Sequence, residues 1–234
     1  MVKIKLDFKR VFFKVERGGR QGGRQTKTQK ISSFHENNCR KEIMKQQFKN
    51  KLSFVLDEKL RKTCQKVLND KKFFVWPASL SHHHAYVGGL AAHTFEVWEI
   101  AEDMAYSRFI NGTNAGIIAT ACIWHDFLKT EEYLLADSPT PNQRSLQYDD
   151  KGFFVKKAGE DDGHSHIING AKAFRLEAEK NEVDSELINQ IEHCILSHHG
   201  FVRDWGSPLD PKSTDAMIVH FADMLSSNAG ACRA

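Results

Sequence analysis

From Glu36 onward, apolar residues recur at three- and four-residue intervals, a pattern that predicts helices over 36–50, 56–69, 86–106, 114–130, 164–180, 184–198 and 213–228. The first two are polar with sparse apolar stripes. KKFFVWPASL joins them to the next helix as an extended connection ended by Pro77. Two stretches depart from this period. VKIKLDFKRVFFKVE alternates apolar and charged residues and reads as one or two strands, and SLQYDDKGFFVKK reads as a hairpin around Asp149–Gly152. No internal repeat is visible. The expected fold class is all-α: a helical core with a small β-hairpin insertion and a short basic N-terminal extension. The divisions expected are 1–35 as a basic strand and low-complexity extension, 36–74 as a helical lead-in, and 75–234 as the main domain.

Composition narrows the class. At 234 residues with 41% hydrophobic and 27% charged content, the chain suits one sizeable soluble domain with an appendage. No apolar run has the roughly 18 residues of a membrane span, and the N-terminus lacks the apolar centre of a secretory signal, so a cytoplasmic protein is expected. The five cysteines are scattered and form no C-x-x-C pair, which argues against disulfides and against a thiolate zinc site. Charge is regional: residues 1–50 carry fourteen Lys/Arg against four Asp/Glu, and the overall +3 then leaves −7 for the remainder. Within the basic part, RGGRQGGRQTKTQ reads equally as a solvated linker and as a segment that follows a nucleic-acid backbone.

The twelve histidines are unusual, and most fall between His82 and His220. The sharpest case is CIWHDFLK, which continues the apolar run GIIATA and so places His125 and Asp126 in a protein interior. Desolvating either without a partner costs a few kcal/mol, so something must satisfy both. The two are consecutive on the predicted 114–130 helix, so their side chains diverge by about 100°, yet two such neighbours can still grip one ion from two sides. Other histidines and acids sit on predicted helices. His93 follows a Gly pair in GGLAAHTFEV, His164 and His166 open one helix, His198 and His199 close another at Gly200, and Asp223 lies three residues after His220.

The order H…HD…H…HH…D, with Lys129 in the form HD-x-x-K, resembles the HD-domain superfamily of metal-dependent phosphohydrolases over roughly residues 75–230. Within it, HHHAYVGGLAAHT, GHSHI, ILSHHGFVRDWGSP and the final H-x-x-D are similar to the HD domain of bacterial 3′→5′ exoribonucleases that carry an OB-fold ahead of it. The segment PASLSHHHAYVGGLAAHTFEV also resembles the HD domain of relaxases from integrative elements. Residues 1–35 are too short for a complete OB-fold, so RNA capture by that module does not carry over. The resemblance implies a first metal held by His93, His125, Asp126 and Asp223. It implies a second held by His164, His198 and His199, with Asp126 bridging. One or two divalent transition ions (Mn, Fe, Co, Ni or Zn) suit such mixed imidazole and carboxylate ligands. It further implies a phosphodiesterase using metal-activated water, with Asp126 and Lys129 as catalytic groups and Lys129 stabilising charge in the transition state. The substrate is expected to be single-stranded RNA or DNA, degraded from the 3′ end. A free nucleotide, and a relaxase-like nucleic-acid-binding module with a structural metal, are the alternatives. No membrane partner is expected, and a homo-oligomer is compatible with the reading.

Other residues keep two readings. His83 and His84 are candidates for binding substrate phosphate or for orienting a ligand, while His82 is expected to be exposed. His166 reads as a helix-surface residue, His193 as packing or a group behind a ligand, and His220 as either a ligand's orienting partner or core. Arg203 and Trp205, in a Gly/Pro-bounded loop, are candidates for pairing with phosphate and stacking on a base, or simply for anchoring that loop.

Overall fold

The computed structural model describes residues 41–53, 57–158, 164–203 and 206–232. The expectations for residues 1–35 and for Trp205 lie outside these. Eight helices are present among the described residues: α1 over 41–52, α2 (Glu58–Asn69), α3 (Gly89–Ala105), α4 (Ala115–Trp124), α5 (Lys129–Glu132), α6 (Ser165–Lys180), α7 (Ser185–Ser197) and α8 (Thr214–Cys232). None of them is long and apolar enough to cross a membrane.

Helix α4 is the axis of the core. Its sequence AGIIATACIW is apolar on every face, and such a helix is stable only when surrounded. It packs against α2, α3, α6, α7 and α8, and every residue from Ile117 to Trp124 is buried. Helices α3 and α8 lie side by side next to it. Each fully buried Ile, Leu or Phe in this core contributes about 1.5–3 kcal/mol.

Caps set the helix starts. Asp57 accepts from the backbone N–H groups of Lys59 and Leu60 at 2.7 and 3.0 Å, Asn114 from Gly116 and Ile117 at 2.9 and 3.3 Å, and Asp184 from Glu186 and Leu187 at 3.0 and 3.2 Å. Helix α3 has no side-chain cap and begins instead on Gly88, at φ +81°. The next residue must also be small. A Cβ on Gly89 would stand 1.9 Å from the His84 carbonyl oxygen, because the loop of residues 78–84 lies directly on the start of α3.

KKFFVWPASL is not extended: the N–H groups of Val75 and Trp76 both bond the Lys72 carbonyl, at 2.9 and 2.7 Å, so the chain turns there. Two of the regular elements also differ from expectation. The segment 114–130 is not one helix. The N–H of His125 still reaches the Ala121 carbonyl at 2.8 Å, but those of Phe127, Lys129 and Thr130 bond three residues back, to Trp124, Asp126 and Phe127, at 3.2, 3.0 and 3.1 Å. The chain tightens there, as short 3₁₀-like turns do, so His125 and Asp126 sit in the turn that closes α4. The second correction concerns the hairpin, which carries a third strand. β1 (Tyr133–Ala136), β2 (Ser145–Gln147) and β3 (Phe153–Lys156) form an antiparallel sheet in the order β1-β3-β2. Leu135 and Leu146 both pair with Phe154, whose ring stacks on Tyr148 at 5.1 Å and meets Trp76 edge-on at 5.2 Å. YLLA was hidden because four residues adjoining a helix carry too little period to separate strand from helix.

Candidate metal centre

Four helix ends and one helix face deliver side chains to a single interior point. His93 comes from the first turn of α3, His125 and Asp126 from the turn after α4, His166 from the start of α6, His198 and His199 from the end of α7, and Asp223 from the middle of α8. His93, His125 and His198 have no exposed surface, and Asp126 is 1% exposed.

Asp126 is the centre of the arrangement. Its Oδ2 lies 3.5 Å from Nε2 of both His93 and His125, and its Oδ1 lies 3.5 and 3.6 Å from Nε2 of His166 and His198. Asp223 completes the first side: its Oδ1 is 3.0 Å from His93 Nε2 and 4.0 Å from His125 Nε2. The His93 and His125 Nε2 atoms are themselves 3.3 Å apart. His199 completes the second side, its ring 4.4 Å from that of His198 and 5.4 Å from that of His166. Among the described residues two groups of donor atoms therefore meet here, His93/His125/Asp223 and Asp126/His166/His198/His199, each within 4.8 Å, and a third, His83/His84/His93, adjoins the first through His93.

The tautomers favour cation binding. His125 and His198 direct Nδ1 to the carbonyls of Cys122 and Ile195, each at 2.7 Å. Carbonyls only accept, so both Nδ1 atoms carry the proton and both Nε2 lone pairs face inward. His93 is fixed through a relay: its Nδ1 is 3.0 Å from Ser226 Oγ, which donates to Glu96 Oε2 at 3.2 Å, while His84 Nε2 meets the same oxygen at 3.0 Å. Asp126 Oδ1, His198 Nε2 and both His166 ring nitrogens are buried without a hydrogen-bond partner of good geometry. Donors held about 2.0–2.1 Å from one ion stand about 3.0–3.4 Å apart, close to the spacing seen here. The residues thus fit one or two divalent transition ions.

Electrostatics agree. Burial opposes the charge on Asp126, but the Lys129 ammonium, 2.6 Å from Oδ2, and His125 hold its carboxyl well below the usual range. Burial likewise opposes ionisation of Asp223 and is outweighed by His93. Burial pushes His125 down to about 4, which keeps its imidazole neutral. His93 stands above its ordinary value, because hydrogen bonding to Asp126 and Asp223 overcomes the burial that would depress it.

One residue of the expected ligand set is not brought to the centre. His164 is outside both groups: it is the residue before α6, and its ring packs against Gly206, where a Cβ would stand 2.6 Å from Nε2. His166, expected on the helix surface, is buried at the centre instead, and its Nδ1 lies 3.2 Å from Glu132 Oε2. His83 is brought within 4.5 Å of the His93 ring, and His84, at φ +47°, is tied to Glu96. His82 is exposed beside Arg144. His193 accepts from the Lys212 N–H at 3.1 Å, away from the centre. His220 meets the His198 carbonyl at 2.9 Å and lies against Gly200, so it braces the loop that carries the His pair. Arg203 is exposed. The residues that sequence reading missed are Glu96, Ser226 and Glu132. The first two had a signal, each lying one helical turn after a ligand candidate, His93 and Asp223; Glu132 had none.

A family model described as HD domain matches residues 90–228. The chain is 31% identical over 155 residues to 3′-5′ exoribonuclease YhaM of Bacillus licheniformis, covering 66% of this chain and 43% of the relative. It is 31% identical over 156 residues to the protein of that name from a Geobacillus species, covering 67% and 42%. For the Bacillus subtilis protein the figures are 29% over 157 residues, covering 67% and 44%. The chain thus aligns to less than half the length of these relatives. No solved structure gives a significant match.

Proposed function

We propose, since the chain belongs to the HD-domain family of metal-dependent phosphohydrolases, that it hydrolyses phosphodiester bonds of single-stranded nucleic acid, releasing nucleotides from the 3′ end. The observation that carries this reading is the two-sided Asp126: one carboxylate oxygen faces His93 and His125, the other His166 and His198. The first ion falls to His93, His125, Asp126 and Asp223, and the second to His166, His198 and His199 with Asp126 shared. Mixed imidazole and carboxylate donors suit Mn, Fe, Co, Ni or Zn. What bound cations supply is Lewis-acid polarisation of phosphoryl oxygens and a water of lowered pKa. The chain's own residues do the remainder. Lys129 keeps Asp126 ionised despite its burial, so that both oxygens stay available, and adds positive charge where negative charge grows on the phosphoryl group. Burial of the histidines keeps bulk water from competing for their lone pairs. The names of the relatives support RNA as the substrate.

The test is incubation of the purified protein with Mn²⁺ and 5′-labelled single-stranded RNA or DNA, alongside nucleoside triphosphates. Progressive shortening from the 3′ end is expected, and it should vanish in Asp126→Asn while helical circular dichroism persists. Turnover of triphosphates with intact oligonucleotides would make the protein a nucleotide phosphohydrolase instead. Oligonucleotide binding without any turnover would make it a binding module with a structural metal.

A further inference from the structure

A concave feature lies near the metal centre. A cleft of about 510 Å³ opens between the loop at Leu80–His82 and the small sheet, and its walls include Glu132, Arg144, Lys156 and Lys157. Three cations therefore face one carboxylate across a space within the range of ligand-sized clefts.

Its position ties it to both halves of the centre. On one wall, His82 precedes His83, whose ring packs 4.5 Å from the ligand candidate His93. On the other, Glu132 turns Oε2 to His166 at 3.2 Å and Oε1 to the Lys156 ammonium at 3.6 Å. Through Glu132 the cleft stands one side-chain contact from His166, which in turn faces Asp126. The β insertion supplies its cations: Lys156 ends β3, Lys157 follows it, and Arg144 immediately precedes β2. The guanidinium of Arg144 is steadied against the His82 ring, whereas Lys157 is exposed and its backbone N–H bonds the Glu132 carbonyl at 2.9 Å.

We infer that this cleft is the path by which the phosphodiester backbone of a single-stranded substrate reaches the metal centre, with Arg144 and Lys157 as its phosphate contacts. The inference rests on the nuclease reading. Sequence-independent phosphate contact is what such a surface gives, since cations on an exposed wall recognise the backbone and not the bases. A strand threaded there would keep its terminal phosphodiester at Asp126 while its remaining phosphates lie along the sheet.

The test is binding of a fluorescein-labelled single-stranded oligonucleotide with phosphorothioate linkages, followed by anisotropy across a salt series. Arg144→Ala/Lys157→Ala is compared with Lys62→Ala/Lys66→Ala, which removes the same charge from α2. Each lost phosphate contact should flatten the log–log salt dependence by about 0.7. The cleft variant should therefore bind several-fold more weakly with a slope flatter by about 1.4, and the α2 variant should match wild type. Equal effects of the two variants, or no effect of the cleft variant, would overturn the assignment. If wild type binds and shortens oligonucleotides while the cleft variant is unchanged, only the cleft assignment falls; if wild type does neither, the nuclease reading itself has failed.

Discussion

His93 Nε2 and Asp223 Oδ1 stand 3.0 Å apart, joining the first turn of α3 to the middle of α8. These two helices lie alongside one another against α4, so the pair is held by the largest part of the apolar core and not by local chain geometry. The rest of the centre assembles around that contact, which makes its composition open to dissection.

The replacement of His164 by His166 is checked by metal content. His166→Ala should lower the bound metal from about two ions per chain to about one, because it removes a donor facing Asp126 Oδ1. His164→Ala, which removes a ring that packs on Gly206 outside both donor groups, should leave the content of wild type. Elemental analysis of both purified variants decides between the two histidines.

Glu96 and Ser226 should act through His93. Ser226→Ala deletes the oxygen that accepts from His93 Nδ1, and Glu96→Gln weakens the acceptor behind it. Loss of a group that orients a ligand typically lowers metal affinity about 10–100-fold. Calorimetric titration of metal into the metal-free protein should show that loss for both, with Glu96→Gln the milder and thermal stability little changed.

Gly89→Ala should be among the most damaging single substitutions outside the centre. The added Cβ would meet backbone, 1.9 Å from the His84 carbonyl oxygen, where no side chain can swing aside. Overpacking costs about 1–3 kcal/mol, and this contact belongs at the upper end. Urea unfolding should register the shift in midpoint. Relief of the clash lifts the loop bearing His83 and His84, so metal affinity should fall as well.

The thiols of Cys64, Cys122 and Cys194 should be inert in the native protein. All three are free and fully buried. Burial pushes Cys64 and Cys194 up to about 12 and raises Cys122 too, so no thiolate forms at pH 8. Mass spectrometry after iodoacetamide treatment should find these three unmodified in the folded protein and alkylated in guanidinium.

The sequence by itself determined the helices of the core, the starts of two of them near residues 114 and 184, the hairpin turn at Asp149–Gly152, and the kinds of residue available to hold a cation. Those are local matters: an apolar period, a side chain reaching the N–H groups two or three residues on, a burial too deep for an unpartnered His-Asp pair. What only the tertiary structure decided is which atoms meet. Whether His164 or His166 faces Asp126 depends on how α6 is rotated against the turn after α4, and that rotation is fixed by packing between distant segments. The same holds for the tightening at His125–Leu128, for Glu132 behind His166, and for the cleft that the sheet forms with the Leu80–His82 loop. Periodicity names the face a helix buries, but the donor that points at a given carboxylate is settled by close packing, which admits one rotation and excludes its neighbours.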